Sequence, residues 1–290
     1  MSAFISSMQC KALTTADTMW SFCPNMGASI FFLVLFAVVF AAHLFQAIYY
    51  KKFFNYCWVI VMSAFWQLLT YIFRSISIQT PASFGNYAAW FVLILVAPLW
   101  TNAFAYMVFG RLVHNYTPDR KLWGLPASKF GLVFVVLDIV AFVVQVYGAA
   151  TATKNDIPTD EVLRSLHIYM GGVGIQLLFI LMCCAFGFKL FFVMRREAVQ
   201  FPQTVRPALL LLYIQFAVMI LIIIRIIFRI VEYSSGLKST IPSHEAYQYA
   251  LDTLPMFIAL VLYNIVHPAR IMRGPETEMP SSWHCCSKRK

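Results

Sequence analysis

Charge is what this sequence has least of. Asp, Glu, Lys and Arg make up only 12% of its 290 residues, about half the roughly 25% usual in soluble domains. Acids are the scarcer sign, 12 against 22 Lys and Arg. A water-facing globular surface cannot be built from so little charge, so a soluble domain is excluded. Motifs for chemistry are missing as well. The chain has no Gly-rich phosphate loop, no GxSxG elbow and no HExxH pair, and Ser, His and Asp never fall in a local catalytic pattern. It has no CxxC, and its six histidines are scattered. Neither a metal centre nor a cofactor is expected, and an enzyme is not the expectation either.

What is present is apolar. Hydrophobic residues make up 61% of the chain and aromatics 17%, with 27 Phe. Seven apolar runs are long enough to span a hydrocarbon core, which takes about 20 helical residues. They cover about 27–49, 56–73, 87–110, 130–150, 169–194, 207–231 and 247–267. The predicted fold is an all-α integral membrane bundle of seven transmembrane helices occupying 27–270. It is preceded by a tail, 1–26, and followed by a basic tail, 271–290. The tail 1–26 has no basic start followed by an apolar core, so the first run is expected to remain as a signal anchor. Segment 151–168 reads as a polar loop. Tyr49, Tyr50, Trp58, Tyr71, Trp90 and Tyr169 gather where interfacial belts are expected.

The basic residues set a direction. With the N-terminus outside, the external segments hold Lys11, Arg74, Lys154, Arg164 and Lys238, whereas fourteen Lys and Arg fall on the other side, Lys51, Lys52, Arg195 and Arg196 among them. This is the positive-inside pattern. It places the N-terminus outside and the C-terminus in the cytoplasm, and the plasma membrane is the expected location. Because the basic residues sit in short loops between greasy runs, nucleic acid is not an expected partner. The single sequon, Asn115-Tyr116-Thr117, falls on the cytoplasmic side and should stay unmodified. Cys10 and Cys23 lie outside, as a disulfide or as two free thiols. Cys285 and Cys286, beside a basic cluster, are candidates for acylation.

Polar residues inside the spans are the candidate site. Arg225, Arg229 and Glu232 are spaced i, i+4, i+7, which forms one stripe on a helix. Arg at a span centre costs about 2.5–3.5 kcal/mol, so the stripe should face protein or water. Asp252 in span seven and Glu245 just before it lie at the same depth. Span two brings Arg74 and, two turns earlier, Gln67. Span four brings Asp138 and Gln145, and span five Gln176. Together they predict a polar layer or cavity opening outward. The amides Gln67, Gln145 and Gln176 serve equally well as interhelical glue. His43 is read as a tolerated helix residue. Pro98 and Pro255 are expected to kink spans three and seven.

Seven spans also describe receptors coupled to G proteins, but neither "YMVFGRLVHNY" nor "LYNIVHPAR" carries their motifs. The stretch "LIIIRIIFRIVEYSSGLKSTIPSHEAYQYALDTLPMFIALVLYNIVHPAR" closely resembles the signature of the fungal RTA-like lipid-translocating exporters. Its matching positions are Arg225, Arg229, Glu232, Gly236, His244, Glu245, Tyr249, Asp252, His267 and Pro268. "APLWTNAFAYMVFGR", "FVVLDIVAFVVQVYG" and "GGVGIQLLF" resemble that family's third, fourth and fifth spans. One position departs: Gln67 stands where the family's second span usually has an acid, while Tyr71 and Arg74 are kept. The resemblance implies a transporter of lipids or amphiphiles, such as sphingoid bases or toxic sterol-like compounds, and resistance to toxic amphiphiles. Its partners would be membrane lipids or amphiphilic small molecules. Arg225 and Arg229 would hold a polar or anionic headgroup, and Glu232 and Asp252 would take an ammonium. The rival expectation is a seven-span receptor or stress sensor that affects lipids indirectly.

Overall fold

The computed structural model describes residues 10–50, 56–152, 158–234, 244–272 and 277. The loop lysines Lys51, Lys52, Lys154 and Lys238, the signature Gly236, and the basic tail with Cys285 and Cys286 lie outside the described residues. Among the described residues, seven helical stretches are long and apolar enough to cross a membrane.

A short helix, α1 (Lys11–Thr14), lies in the N-terminal segment. The first six crossings are α2 (Met26–Tyr49), α3 (Trp58–Gln79), α4 (Phe84–Tyr116), α5 (Ala127–Ala152), α6 (Thr159–Gln200) and α7 (Pro202–Ser234). The seventh is composite. It opens with α8 (Glu245–Gln248), passes through a π-helical turn at Tyr249–Thr253 and continues as α9 (Leu254–Ile265). A last turn, α10 (Pro268–Ile271), follows. A two-stranded antiparallel ribbon, β1 (Lys121–Leu122) and β2 (Leu125–Pro126), joins α4 to α5.

Local chemistry explains the helix ends. Asn25 caps α2, its side chain accepting from the Ala28 N–H at 3.0 Å, as N-cap residues do. Ser83 plays the same part for α4. The polar loop expected over 151–168 is largely helix instead: α6 starts at Thr159, with Asp160 and Glu161 in its first turn. Acids there complement the positive end of the helix dipole, which polarity alone does not reveal. At 42 residues α6 is about 63 Å long, roughly twice the hydrocarbon thickness. Its ends therefore project beyond the membrane.

Consecutive helices pack side by side, and α9 meets both α7 and α2, which closes the ring. α4 also touches α6, α7 and α9, so it is the central post. Its buried face includes Phe104, Tyr106, Phe109 and Leu112. The perimeter is apolar and accessible, with Phe31, Val38, Phe45, Leu132, Val143 and Phe192 all exposed. Apolar exposure on this scale suits a lipid solvent, not water. The α5–α6 seam is tight where glycine allows it. A Cβ on Gly148 would stand 2.8 Å from the Ser165 carbonyl and collide with the Tyr169 backbone, and one on Gly172 would stand 2.9 Å from the Ala141 carbonyl. Small residues let membrane helices approach this closely. Gly148→Val is therefore expected to push α5 and α6 apart, costing about 1–3 kcal/mol by overpacking. A lower melting temperature in detergent checks this. An unchanged one would mean that the seam is loose.

Candidate functional site

The arginine stripe of α7 meets the seventh crossing at its π-helical turn. Pro255 cannot donate a backbone hydrogen bond. Just before it the chain takes the wider π turn, and the Leu254 N–H reaches back to the Tyr249 carbonyl. Such turns recur at functional sites. This one presents Asp252 to α7. Asp252 Oδ1 lies 2.6 Å from Arg225 Nε, and Oδ2 pairs with Arg229 Nη2. Arg229 Nη1 also pairs with Glu232 Oε2 at 2.9 Å. Arg225 Nη2 donates to the Ile94 carbonyl of α4 at 3.2 Å. That carbonyl is the one Pro98, four residues on, leaves without its helical donor. The stripe thus ties α7 both to the π-helical turn of the seventh crossing and to the carbonyl freed by Pro98 in α4.

A second group sits beside it. Arg74, at the end of α3, pairs with Glu245 Oε1 at 2.7 Å. It also donates to Gln248 Oε1 and to the Tyr249 hydroxyl, each at 3.1 Å. Its guanidinium lies 4.6 Å from the Trp90 ring centroid, 5.1 Å from Tyr249 and 5.2 Å from Trp20. Trp20 stacks on Trp90 and donates to the Ser77 carbonyl at 3.3 Å. The Cys10–Cys23 disulfide closes a loop within the N-terminal segment that carries Trp20. A further contact runs from the Asn25 N–H to Glu245 Oε2 at 2.7 Å. The Tyr71 and Thr253 hydroxyls bond to each other between the two groups.

Among the described residues, the charged members of the expected polar layer are brought together and are almost fully buried. Arg74 is 1% exposed, Asp252 2%, Arg229 3%, Arg225 5% and Glu232 6%. The reason is charge balance. Three cations, Arg74, Arg225 and Arg229, face three acids, Glu232, Glu245 and Asp252. Full pairing lets the groups leave water together.

The remaining candidates lie elsewhere. Asp138 of α5 accepts from Asn102 Nδ2 at 2.9 Å and from the Tyr106 hydroxyl at 3.2 Å, both on α4. Gln145 instead donates to Gln176 of α6 at 3.2 Å. Asp138 also interacts with Gln176, so both residues on this face of span four reach α6, while Asp138 bonds to α4 as well. Gln67 is buried in α3 and joins neither charged group among the described residues. Sequence reasoning missed Trp20, Gln248 and Asn102 as members of these networks. It also missed Gln215, which donates to the Ala105 carbonyl at 2.9 Å and accepts from Tyr263 at 2.8 Å. Only the Ile94 carbonyl had a signal, in the proline four residues later. Among the described residues, no group of three or more His, Cys, Asp and Glu is placed to hold a metal ion.

Seven crossings around a buried, charge-balanced network define a multi-pass integral membrane protein. The family described as RTA1 like protein matches residues 60–275, so the chain belongs to that family. It is 36% identical to the "Probable lipid transporter atnI" of Emericella nidulans, over 88% of this chain and 69% of that protein. It is 27% identical to "Protein RTA1" of Saccharomyces cerevisiae, over 86% and 84% of the two chains. It is 22% identical to the "Sphingoid long-chain base transporter RSB1" of Saccharomyces cerevisiae, over 89% and 75%. No solved structure matches the chain.

Proposed function

We propose that the protein moves lipids or other single-headed amphiphiles across its membrane, sphingoid-base-like molecules or toxic sterol-like compounds being the substrates. On this reading it confers resistance to such amphiphiles, sits in the plasma membrane with its N-terminus outside and its C-terminus in the cytoplasm, and is not an enzyme. The observation that carries the reading is the neutral network of three arginines and three acids, buried where α3, α4 and the π-helical turn of the seventh crossing meet α7 and its neighbours. Charged groups at membrane depth mark substrate or ion pathways, and π-helical turns recur at functional sites. The names of the relatives, a lipid transporter and a sphingoid-base transporter, support the substrate class. The positive-inside bias supports the orientation, and so does the disulfide at the N-terminal end, since disulfides persist in oxidising surroundings.

Because every charge has its complement, a headgroup enters by exchange. An ammonium takes an acid from its arginine, or an anionic group takes an arginine from its acid, while the tail stays among the apolar helix faces. The test is transbilayer movement of a labelled sphingoid base in proteoliposomes. Movement is expected with the unaltered chain and a loss of at least tenfold with Arg229→Ala. Equal movement in both would sink the site assignment.

The closed state of the network favours a second reading. In a sensor the same ion pairs would act as a packing lock, and lipid effects would be indirect. Folded protein that moves no lipid in liposomes would favour it.

A further inference from the structure

A second polar seam lies further along the seventh crossing, away from the charged network. His43, Gln46 and Tyr50 of α2 and its C-terminal end are spaced i, i+3, i+7. They face Leu260, Asn264 and His267, spaced i, i+4, i+7. At 1.5 Å per residue these positions lie about 12–22 Å along the crossing from Asp252. His43 Nε2 meets the Leu260 carbonyl at 3.1 Å. Gln46 Nε2 donates to the Asn264 carbonyl at 2.9 Å, the one that Pro268 cannot serve. His267 stacks on Tyr50 and stands 6.4 Å from His43, centroid to centroid.

These contacts settle which ring nitrogens carry protons. The Leu260 carbonyl only accepts, so His43 Nε2 bears the proton and Nδ1 is an acceptor. The Ala269 N–H only donates, and it donates to His267 Nδ1 at 3.3 Å. The neutral His267 ring therefore carries its proton on Nε2. Four buried atoms are then left over: His43 Nδ1, Gln46 Oε1, Asn264 Oδ1 and His267 Nε2, none with a hydrogen-bond partner among the described residues. His43 and His267 are themselves 0% and 1% exposed. A buried polar atom without a partner is costly, and here four share one seam. Three are acceptors and one is a donor.

We propose that this seam is a second headgroup site, separate from the charged network, built for a donor-rich amino-alcohol group. An ammonium and a hydroxyl donate to Gln46 Oε1, Asn264 Oδ1 and His43 Nδ1, while a hydroxyl oxygen accepts from the His267 Nε2–H. A carboxylate headgroup, which only accepts, satisfies one of the four. Among the described residues the seam holds no acid of its own, so it releases the headgroup more readily than the charged network, as the far station of a transport path should. In this last respect the proposal rests on the transport reading. The site itself does not.

The test uses the full chain, labelled with 15N-histidine, in lipid nanodiscs. A C18 2-amino-1,3-diol is titrated while the ring nitrogens of His43 and His267 are followed, their signals assigned with His43→Asn and His267→Asn. Both rings are expected to shift saturably, also in Arg229→Ala, and to stay put with a C18 fatty acid. Gln46→Leu is expected to raise the apparent Kd about tenfold, with Asn264→Leu as the second variant should Gln46→Leu fail to fold. Rings that ignore the diol while it is transported would overturn the site and leave the transport reading intact. Rings that respond only to solvent exchange would reduce the seam to a hydration site. Shifted rings without transport would support the site and sink the transport reading instead.

Discussion

Asp252→Ala is expected to abolish transport and to cut the yield of folded protein in detergent sharply. Asp252 is a carboxylate that meets both Arg225 and Arg229. Without it two buried guanidiniums share Glu232, which only Arg229 reaches as an ion pair. Removing one partner of a buried pair costs about 3–5 kcal/mol, and whole domains are stable by only about 5–15 kcal/mol. Asp252→Asn keeps the shape and one acceptor oxygen, so it should fold better yet move no lipid. The informative variant is the double one, Asp252→Ala with Arg225→Met. It removes a cation together with its acid and fills the space with an apolar chain of similar length. Its melting temperature is expected to recover most of the loss while transport stays absent, which separates folding from function. A single Asp252→Ala variant that melts like the unaltered protein would show that the network carries no structural weight.

The contrast between legible and illegible parts has a physical basis. The stripe of Arg225, Arg229 and Glu232 follows from the 3.6-residue period alone, and its acid partner follows from matching depth in span seven. Both are found in the structure. Charge balance was not countable, since Asp138 and Lys189 also lie within the spans. What spacing could not show is which three arginines and three acids pair off and leave water together. The Arg74 group also rests on Trp20, which stands in a segment with no periodic pattern and is held to the bundle by its bond to the Ser77 carbonyl and by the Met19 N–H bond to the Pro81 carbonyl. The α4 contacts of Asp138 were hidden for a similar reason. A shared helix face does not say which neighbour each residue meets, and here Asp138 reaches Asn102 and Tyr106 of α4 as well as Gln176 of α6. The N-terminal part of α6 was missed because its polar residues satisfy the helix dipole and not a membrane. The surplus at His43 and His267 needed hydrogen-bond partners, not residue types, to become visible.

Arg74→Lys is expected to lose most activity although the charge is kept. The guanidinium is held by shape. Nη2 meets Glu245, Nη1 meets Gln248, Nε meets Tyr249, and its plane lies among three aromatic rings. An ammonium is a point charge on a flexible stem and cannot serve three divergent acceptors while stacking. Each cation–π contact is worth about 0.5–2 kcal/mol, and each hydrogen bond with a charged group about 1.5–3 kcal/mol. Losing two such bonds and part of the stacking amounts to roughly 3 kcal/mol, or about a hundredfold in any equilibrium that depends on this group. Arg74→Ala should do worse, because Glu245 is then left without its cation. Intrinsic fluorescence gives a local readout, since Trp20 and Trp90 stack on each other beside Arg74. A change in their emission, with the melting temperature lowered by several degrees, is expected in both variants. The N-terminal segment then loses the aromatic and hydrogen-bond contacts that hold Trp20 down, and the Arg74–Glu245 pair becomes the first part of the closed network to open. If instead Arg74→Lys kept full transport and unchanged emission, the arginine would be acting as charge alone, and the aromatic clamp would have no part in keeping the layer shut.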